Sequence, residues 1–295
     1  MRPEDLRLIA ETLGSPVTSV STLAGGYSHE TCLLELPDGR VVVRLGGAAP
    51  AVEAAVMAAA RGTVPVPEVL HVLPSAMILE YVPGTTLTDA FTQPGQRALG
   101  EEVGRVVAEI ATIAFARPGF FTDPALTIAP EAPWSAQLPE VAAACMSATD
   151  RLDPATRDAW LALCTAHAPA LRAVDAQSFL VHADINPKNI LVTRDGTGWR
   201  VDAVLDWEFS YSGCPYGDAA NMARFGDGYP ADFLTGFRTA FGSRHRGDWE
   251  YLGWVLDMFA LSDLVTRPPG HAVADQAAER IRRLLGDQAA APRAM

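Results

Sequence analysis

The feature that most constrains the fold is the stretch 179–218, FLVHADINPKNILVTRDGTGWRVDAVLDWEFSYSGCPYGD. Three short apolar runs, 179–181, 190–192 and 201–205, read as strands, and Arg194-Asp195-Gly196 is a turn between the last two. The first run leads to His182 and Asp184, Asn189 follows five residues after Asp184, and the third run delivers Asp206 at its end. A strand end, a tight loop and a hairpin therefore bring three oxygen-bearing side chains near one another. Metal-assisted phosphoryl transfer needs that set: one carboxylate to accept a hydroxyl proton, and a second carboxylate with an amide oxygen to hold a hard cation against phosphates. His182-x-Asp184 alone also fits the first half of a two-His-one-carboxylate iron site, with His245 or His271 as the distal ligand. That alternative predicts a mainly β fold.

The ordered set of motifs resembles a known family. His182-x-Asp184-x-x-x-x-Asn189, with Pro187 between, matches the catalytic-loop pattern of protein kinases. Leu205-Asp206-Trp207-Glu208 stands where protein kinases carry Asp-Phe-Gly, and Gly213-Cys214-Pro215-Tyr216-Gly217-Asp218 follows. Together they resemble the aminoglycoside phosphotransferase and choline kinase family, small-molecule kinases on a protein-kinase-like fold. The resemblance implies an α+β, bilobal fold. A small antiparallel sheet lobe, 1–82, would bind nucleotide, and a mainly helical lobe, 83–295, would carry the catalytic loop, metal site and substrate pocket.

Composition narrows the partners. With 295 residues, 49% of them hydrophobic and 20% charged, the chain can bury a core large enough for two lobes. No apolar run approaches membrane-spanning length and the N-terminus has no signal-peptide core, so a cytoplasmic location is expected. The net charge of −12 argues against nucleic acid and anionic membranes and suits a cationic small substrate. Cys32, Cys145, Cys164 and Cys214 are too scattered to form a metal pair and read as reduced thiols. A monomer or weak homodimer is expected.

Read in order, 3–13 is an amphipathic helix with Pro3 at its start and Gly14 as its stop. Strands at 17–24, 31–36 and 41–45 form a meander whose first turn contains Gly25-Gly26-Tyr27-Ser28. A helix at 51–61 follows, then strands at 69–73 and 77–81, and Glu80-Tyr81-Val82 resembles the hinge between kinase lobes. Thr92 and Pro94 open a helix to about 113, and 115–135 reads as a long loop of the functional kind. Further helices are expected at 138–148, 154–171, 218–225, 232–241, 248–265 and 272–285, with a loose tail over the last nine residues.

The resemblance assigns roles. Asp184 is the base, Asn189 and Asp206 carry Mg²⁺, and ATP or GTP is the co-substrate. Gly25, Gly26 and Ser28 cover the phosphates, and Glu80 and Val82 present backbone to the base. Arg44 stands where the family usually has a phosphate-binding Lys, with Glu53 as its partner. The only Lys in the chain is Lys188, so Arg44 is the main departure from the pattern. His182, Lys188 and Asp218 are supporting residues. Glu208, Asp227 and Asp257 are candidates to pair with ammonium groups of the acceptor. The expected acceptor is a hydroxyl of a cationic antibiotic: an aminoglycoside, a tuberactinomycin or a macrolide. The alternatives are a kinase for choline, homoserine or a sugar, and a catalytically silent nucleotide-binding scaffold.

Overall fold

A computed structural model describes residues 1–23, 30–47, 49–196, 198–245 and 247–290. The N-terminal part comprises α1 (Pro3–Leu13), β1 (Ser19–Thr22), β2 (Glu30–Leu36), β3 (Gly39–Leu45), α2 (Pro50–Ala60), β4 (Val69–Leu73) and β5 (Ala76–Glu80). The five strands make one antiparallel sheet in the order β1-β2-β3-β5-β4. Strand alternation divides its residues between two faces. Cys32, Leu34, Val41, Val43 and Ile78 pack with Ile9 of α1. Val42, Met77 and Leu79 turn the other way, onto a core shared with α2 and the second lobe. Arg44 follows Val42 on this second face, which aims a charged side chain at the junction between the lobes.

The helical lobe begins with β6 (Thr85–Thr86), α3 (Leu87–Ala90), α4 (Gln96–Ile110) and β7 (Gly119–Phe120). Then come α5 (Trp134–Ala148), α6 (Pro154–His167), β8 (Phe179–Val181), β9 (Ile190–Asp195), β10 (Gly198–Val204) and β11 (Tyr211–Gly213). It closes with α7 (Tyr216–Ala223), α8 (Ala231–Arg244), α9 (Trp249–Leu264) and α10 (Ala272–Ala290). Two three-stranded sheets, β10-β9-β6 and β7-β11-β8, hold the stretch 179–213 between them. Beneath, α4 and α8 cross with their backbones almost touching. A Cβ at Gly100 would lie 2.0 Å from the Phe233 carbonyl oxygen, and one at Gly236 would lie 2.1 Å from that of Arg97. A second core, with Trp160, Leu138, Leu171, Met258 and Ile281 at its centre, joins α5, α6, α9 and α10. The architecture is the expected α+β, bilobal, kinase-like one.

Several boundaries differ from expectation, each for a local reason. The helix expected from Thr92 starts at Gln96, because Gly95 takes a left-handed φ of 88° and Gln96 donates its side-chain amide to the Ala90 and Gln93 carbonyls. It ends at Ile110 rather than 113. The short helix α3 was not anticipated, although Thr86-x-x-Asp89 is its cap: Asp89 N–H donates to Thr86 Oγ1, which donates to Asp89 Oδ2. Helix α5 starts four residues before the expected 138 and accommodates Pro139 inside it. Up to the start of α5, the expected 115–135 loop is a loop carrying β7, folded over an Asp123 side chain that accepts from Ala125 N–H and Thr127 N–H. Helix α10 runs to Ala290, past the start of the expected tail.

Candidate functional site

The site forms where the β8–β9 loop meets the end of β10. Among the described residues, the non-glycine residues with positive φ are Leu126, Ala183 (68°) and Asp206 (67°). Two of the three lie in this site. A left-handed alanine costs about 1 kcal/mol, and such strain persists only where the surroundings impose it. Here the imposing groups are visible. His182 N–H and Ala183 N–H donate to Asp218 Oδ2 and Oδ1, both at 2.8 Å. The fully buried His182 ring bridges the two loops. Its Nε2 lies 2.9 Å from the Leu205 carbonyl oxygen, and its Nδ1 accepts from Asp184 N–H at 3.1 Å. These partners assign the proton to Nε2. Burial pushes the imidazole pKa down to about 4, so the ring is a neutral strut at physiological pH.

Asp184 is fixed by two amides. Its Oδ1 accepts from Asn186 Nδ2 at 3.0 Å and its Oδ2 from Asn189 Nδ2 at 2.8 Å. Burial raises its pKa, while Asn186, Asn189 and the charges of Arg224 and Lys188 oppose the rise. Asn189 also donates to the Asp184 carbonyl at 3.0 Å. With its amide hydrogens turned to Asp184, its carbonyl oxygen is the group left for a cation.

The opposite wall comes from the sheet lobe. Arg44, 7% exposed, donates Nη1–H to Glu53 Oε1 and Nη2–H to Asp206 Oδ1, the latter at 2.7 Å. Glu53 Oε1 also accepts from Trp207 N–H at 3.1 Å. Burial pushes the Glu53 carboxyl up and Arg44 holds it down. Arg44 is thus no exposed strand cation. Its planar fork spans two carboxylates on different lobes, one from each terminal nitrogen.

Asn189 and Asp206 fit Mg²⁺ by their chemistry. Among the described residues no three His, Cys, Asp or Glu side chains converge as a cage. Two oxygen donors completed by substrate phosphates are how Mg²⁺ is commonly held. The same observation, with the helical second lobe, removes the iron-site alternative built on His182 with His245 or His271.

Other sequence candidates fall elsewhere. Gly25, Gly26 and Ser28 lie outside the described residues. Glu80 is exposed at the end of β5, where its carboxylate accepts from Glu68 N–H at 3.1 Å, and Val82 is half-buried just beyond. Lys188 is exposed beside Asn186, whose Oδ1 accepts the Lys188 backbone N–H at 3.0 Å. Glu208 is half-buried in the turn after Trp207. Asp227 and Asp257, the other candidates to meet ammonium groups of the acceptor, each face an arginine. Asp227 pairs with Arg283 at 2.6 Å, and Asp257 with Arg224 at 2.6 Å in a nearly buried pair. The sequence reading missed Asn186, Asn221 and Arg224. Asn186 had a signal in Asp184-x-Asn186; the other two lie on α7 or just beyond it and meet the site only through folding.

The comparisons place this geometry among known proteins. No curated protein matches the chain. Among solved structures, a thermostable mutant of aminoglycoside phosphotransferase APH(4)-Ia, in ternary complex with AMP-PNP and hygromycin B, is 19% identical with a TM-score of 0.76, covering 98% of this chain and 100% of its own. A putative aminoglycoside phosphotransferase from Ralstonia eutropha JMP134 is 22% identical with a TM-score of 0.69, covering 97% and 98%. Macrolide 2'-phosphotransferase MphH from Brachybacterium faecium is 20% identical with a TM-score of 0.62, covering 95% and 98%. At these identities the likeness establishes the fold. Residues 19–254 match the profile of the phosphotransferase enzyme family, APH, and with that span covering most of its length the chain belongs to this family.

Proposed function

We propose that this phosphotransferase moves the γ-phosphoryl group of ATP to a hydroxyl of a small molecule, with Asp184 as the base. The observation that carries the reading is one ring of contacts: His182 ties the Asp184 loop to Leu205, and Arg44 ties Asp206 to the sheet lobe. In the reaction the acceptor oxygen forms a bond to Pγ, the Pγ–O bond to ADP breaks, and the hydroxyl proton passes to Asp184. Asn186 and Asn189 orient the carboxylate so that it faces the hydroxyl without rearranging. Asn189 and Asp206 hold Mg²⁺; when bound, the ion neutralises charge on the β- and γ-phosphates. Arg44 supplies the fixed positive charge that a lysine provides in most of the family. The nucleotide lies between the lobes, divided near residue 82, against the backbone at Glu80 and Val82, with Gly25, Gly26 and Ser28 the residues that the family resemblance assigns to its phosphates.

The acceptor is a hydroxylated, cationic antibiotic, with aminoglycosides first. Support comes from the charge of −12 and from relatives named for aminoglycosides and macrolides, one of them holding hygromycin B. The test is Mg²⁺-dependent ADP release from ATP against aminoglycosides, tuberactinomycins, macrolides and metabolites, with Asp184→Asn as control. Turnover with a cationic antibiotic, lost in the variant, is the expected result. Turnover with choline, homoserine or a sugar alone would overturn the acceptor class. Nucleotide binding without release for any acceptor would favour a silent scaffold.

A further inference from the structure

Helix α7 and the residue that follows it read the catalytic loop one turn at a time. Asp218 in its first turn accepts from the backbones of His182 and Ala183. One turn on, Asn221, 6% exposed, directs Nδ2 at the Ala183 carbonyl, 3.4 Å away. One turn further, just past the helix end, stands Arg224. Residues 218, 221 and 224 are three apart, so each neighbours the next along the helix. The charge of Arg224 acts on Asp184, the next loop residue. The arginine cannot swing away, because its Nε and Nη2 both donate to Asp257 Oδ1 on α9, at 2.8 and 2.6 Å. The two side chains are 9% and 8% exposed.

A buried ion pair is a weak device for stability, since apolar side chains of similar volume often do as well or better. Its presence beneath a catalytic loop calls for another reason. We infer that Arg224, pinned by Asp257, is a positioning residue for phosphoryl transfer: it locks the end of α7 to α9 and so fixes the helix whose Asp218 and Asn221 hold 182–184. This rests on the reading of Asp184 as the base. It also gives Asp257 a place in the machinery other than the acceptor contact expected from sequence.

The geometry makes a distinctive demand on replacements. Both donors of Arg224 converge on a single oxygen, so one ammonium can replace them. Those of Arg44 go to two carboxylates through separate nitrogens. The test therefore compares Arg224→Lys with the neutral pair Arg224→Gln/Asp257→Asn and the apolar pair Arg224→Met/Asp257→Leu. ADP release from Mg·ATP is followed with water as acceptor and with hygromycin B, and thermal unfolding reports the fold. The neutral pairs should lose about 10- to 100-fold in kcat, with the KM for ATP within about threefold of the parent. Arg224→Lys should stay within about threefold in both.

A folded neutral pair with near-parental kcat would overturn the proposal, and so would a lysine variant as slow as the neutral pairs. Failure of both pairs to fold would mark the ion pair as structural and overturn it too. Asp184→Asn separates the premise from the inference. If that variant still releases ADP, the base is misassigned. If it is silent while a folded neutral pair runs at full rate, only the role of Arg224 falls.

Discussion

Gly100→Ala sets two effects of opposite sign against each other in one helix. Intrinsic propensity favours alanine in a helix interior by about 1 kcal/mol. The crossing with α8 opposes it, because the new methyl would sit 2.0 Å from the Phe233 carbonyl oxygen and 2.8 Å from Phe237 N. Backbone atoms cannot rotate aside, so α4 and α8 must part by about 1 Å or distort locally. A gap of that size forfeits a quarter to a half of each dispersion contact across it. The interface is made by Leu99, Val103, Val107, Phe233 and Phe237, all 1% exposed or less. Each is worth about 1.5–3 kcal/mol in burial, so losing a fraction of five such contacts costs about 3–5 kcal/mol. The net expectation is destabilisation by about 2–4 kcal/mol, read as a lower urea midpoint at unchanged slope. Gly286→Ala is the control, since no atom lies within 4 Å of its Cβ position in α10; it should be neutral or slightly stabilising. A Gly100→Ala variant as stable as the parent would refute the reasoning, for it would mean that the crossing does not resist a methyl group.

Further outcomes follow from the site. Arg44→Lys should lower stability by about 1–3 kcal/mol and weaken ATP binding, because one nitrogen must replace the two that separately serve the buried Glu53 and half-buried Asp206 carboxylates; urea unfolding and calorimetric titration with Mg·ATP check both. Asp184→Asn should remove about 10³-fold or more from the rate while ATP affinity holds, whereas Asp206→Ala should weaken Mg·ATP binding as well; equal affinities would speak against dividing base and cation sites between them. The third concerns pH. Burial raises the Asp218 carboxyl from 3.8 to about 7, so the folded state binds the extra proton between those values. Its contribution is present below about 4 and fades as pH rises through 7, by at most about 4 kcal/mol. His182 slopes the other way, its contribution being lost as pH falls from 6.5 towards 4. Asp218→Asn removes only the first slope, so the variant should gain stability relative to the parent from pH 4 to 7; a difference independent of pH in urea titrations would contradict this.

The site was legible where its parts are close in sequence. His182, Asp184, Asn189 and Asp206 are carried by β8, one loop and one hairpin, so spacing alone nearly fixes their neighbourhood. Arg44 and Glu53, nine residues apart, were pairable because a strand and the next helix leave few other partners for either. Arg224 and Asp257 were not, since 33 residues separate them and only the packing of α7 on α9 brings them together. The same gap hid the arginine partners of Asp227 and Asp257. A carboxylate in a helical segment carries no local sign of the arginine that will neutralise it. Helix starts failed for a related reason: Gly95 and the Gln96 side chain stop α4 from reaching back to Thr92, and tertiary burial of Trp134 extends α5 past its periodic stretch.

The departure at Arg44 gains a physical sense from where the lobes join. Three bonds cross from the sheet lobe to the end of β10 and its exit: Val204 N–H to the Pro65 carbonyl at 2.9 Å, Trp207 N–H to Glu53 Oε1 at 3.1 Å, and Arg44 Nη2–H to Asp206 Oδ1 at 2.7 Å. They flank Leu205, whose carbonyl meets His182 and whose N–H donates to the Asn189 carbonyl at 2.8 Å. The four residues 204–207 therefore fix the sheet lobe, the His182–Asp184 loop, Asn189 and Asp206 against one another. A lysine at position 44 would have to reach both carboxylates from one nitrogen, without the fixed fork of the guanidinium. The guanidinium serves both through separate nitrogens, so the arginine couples the register of the two lobes to the position of the Asp206 carboxylate. That coupling explains why the strained φ of Asp206 is sustained: its backbone is held by its neighbours on both sides, and its side chain by a cation that cannot be deprotonated.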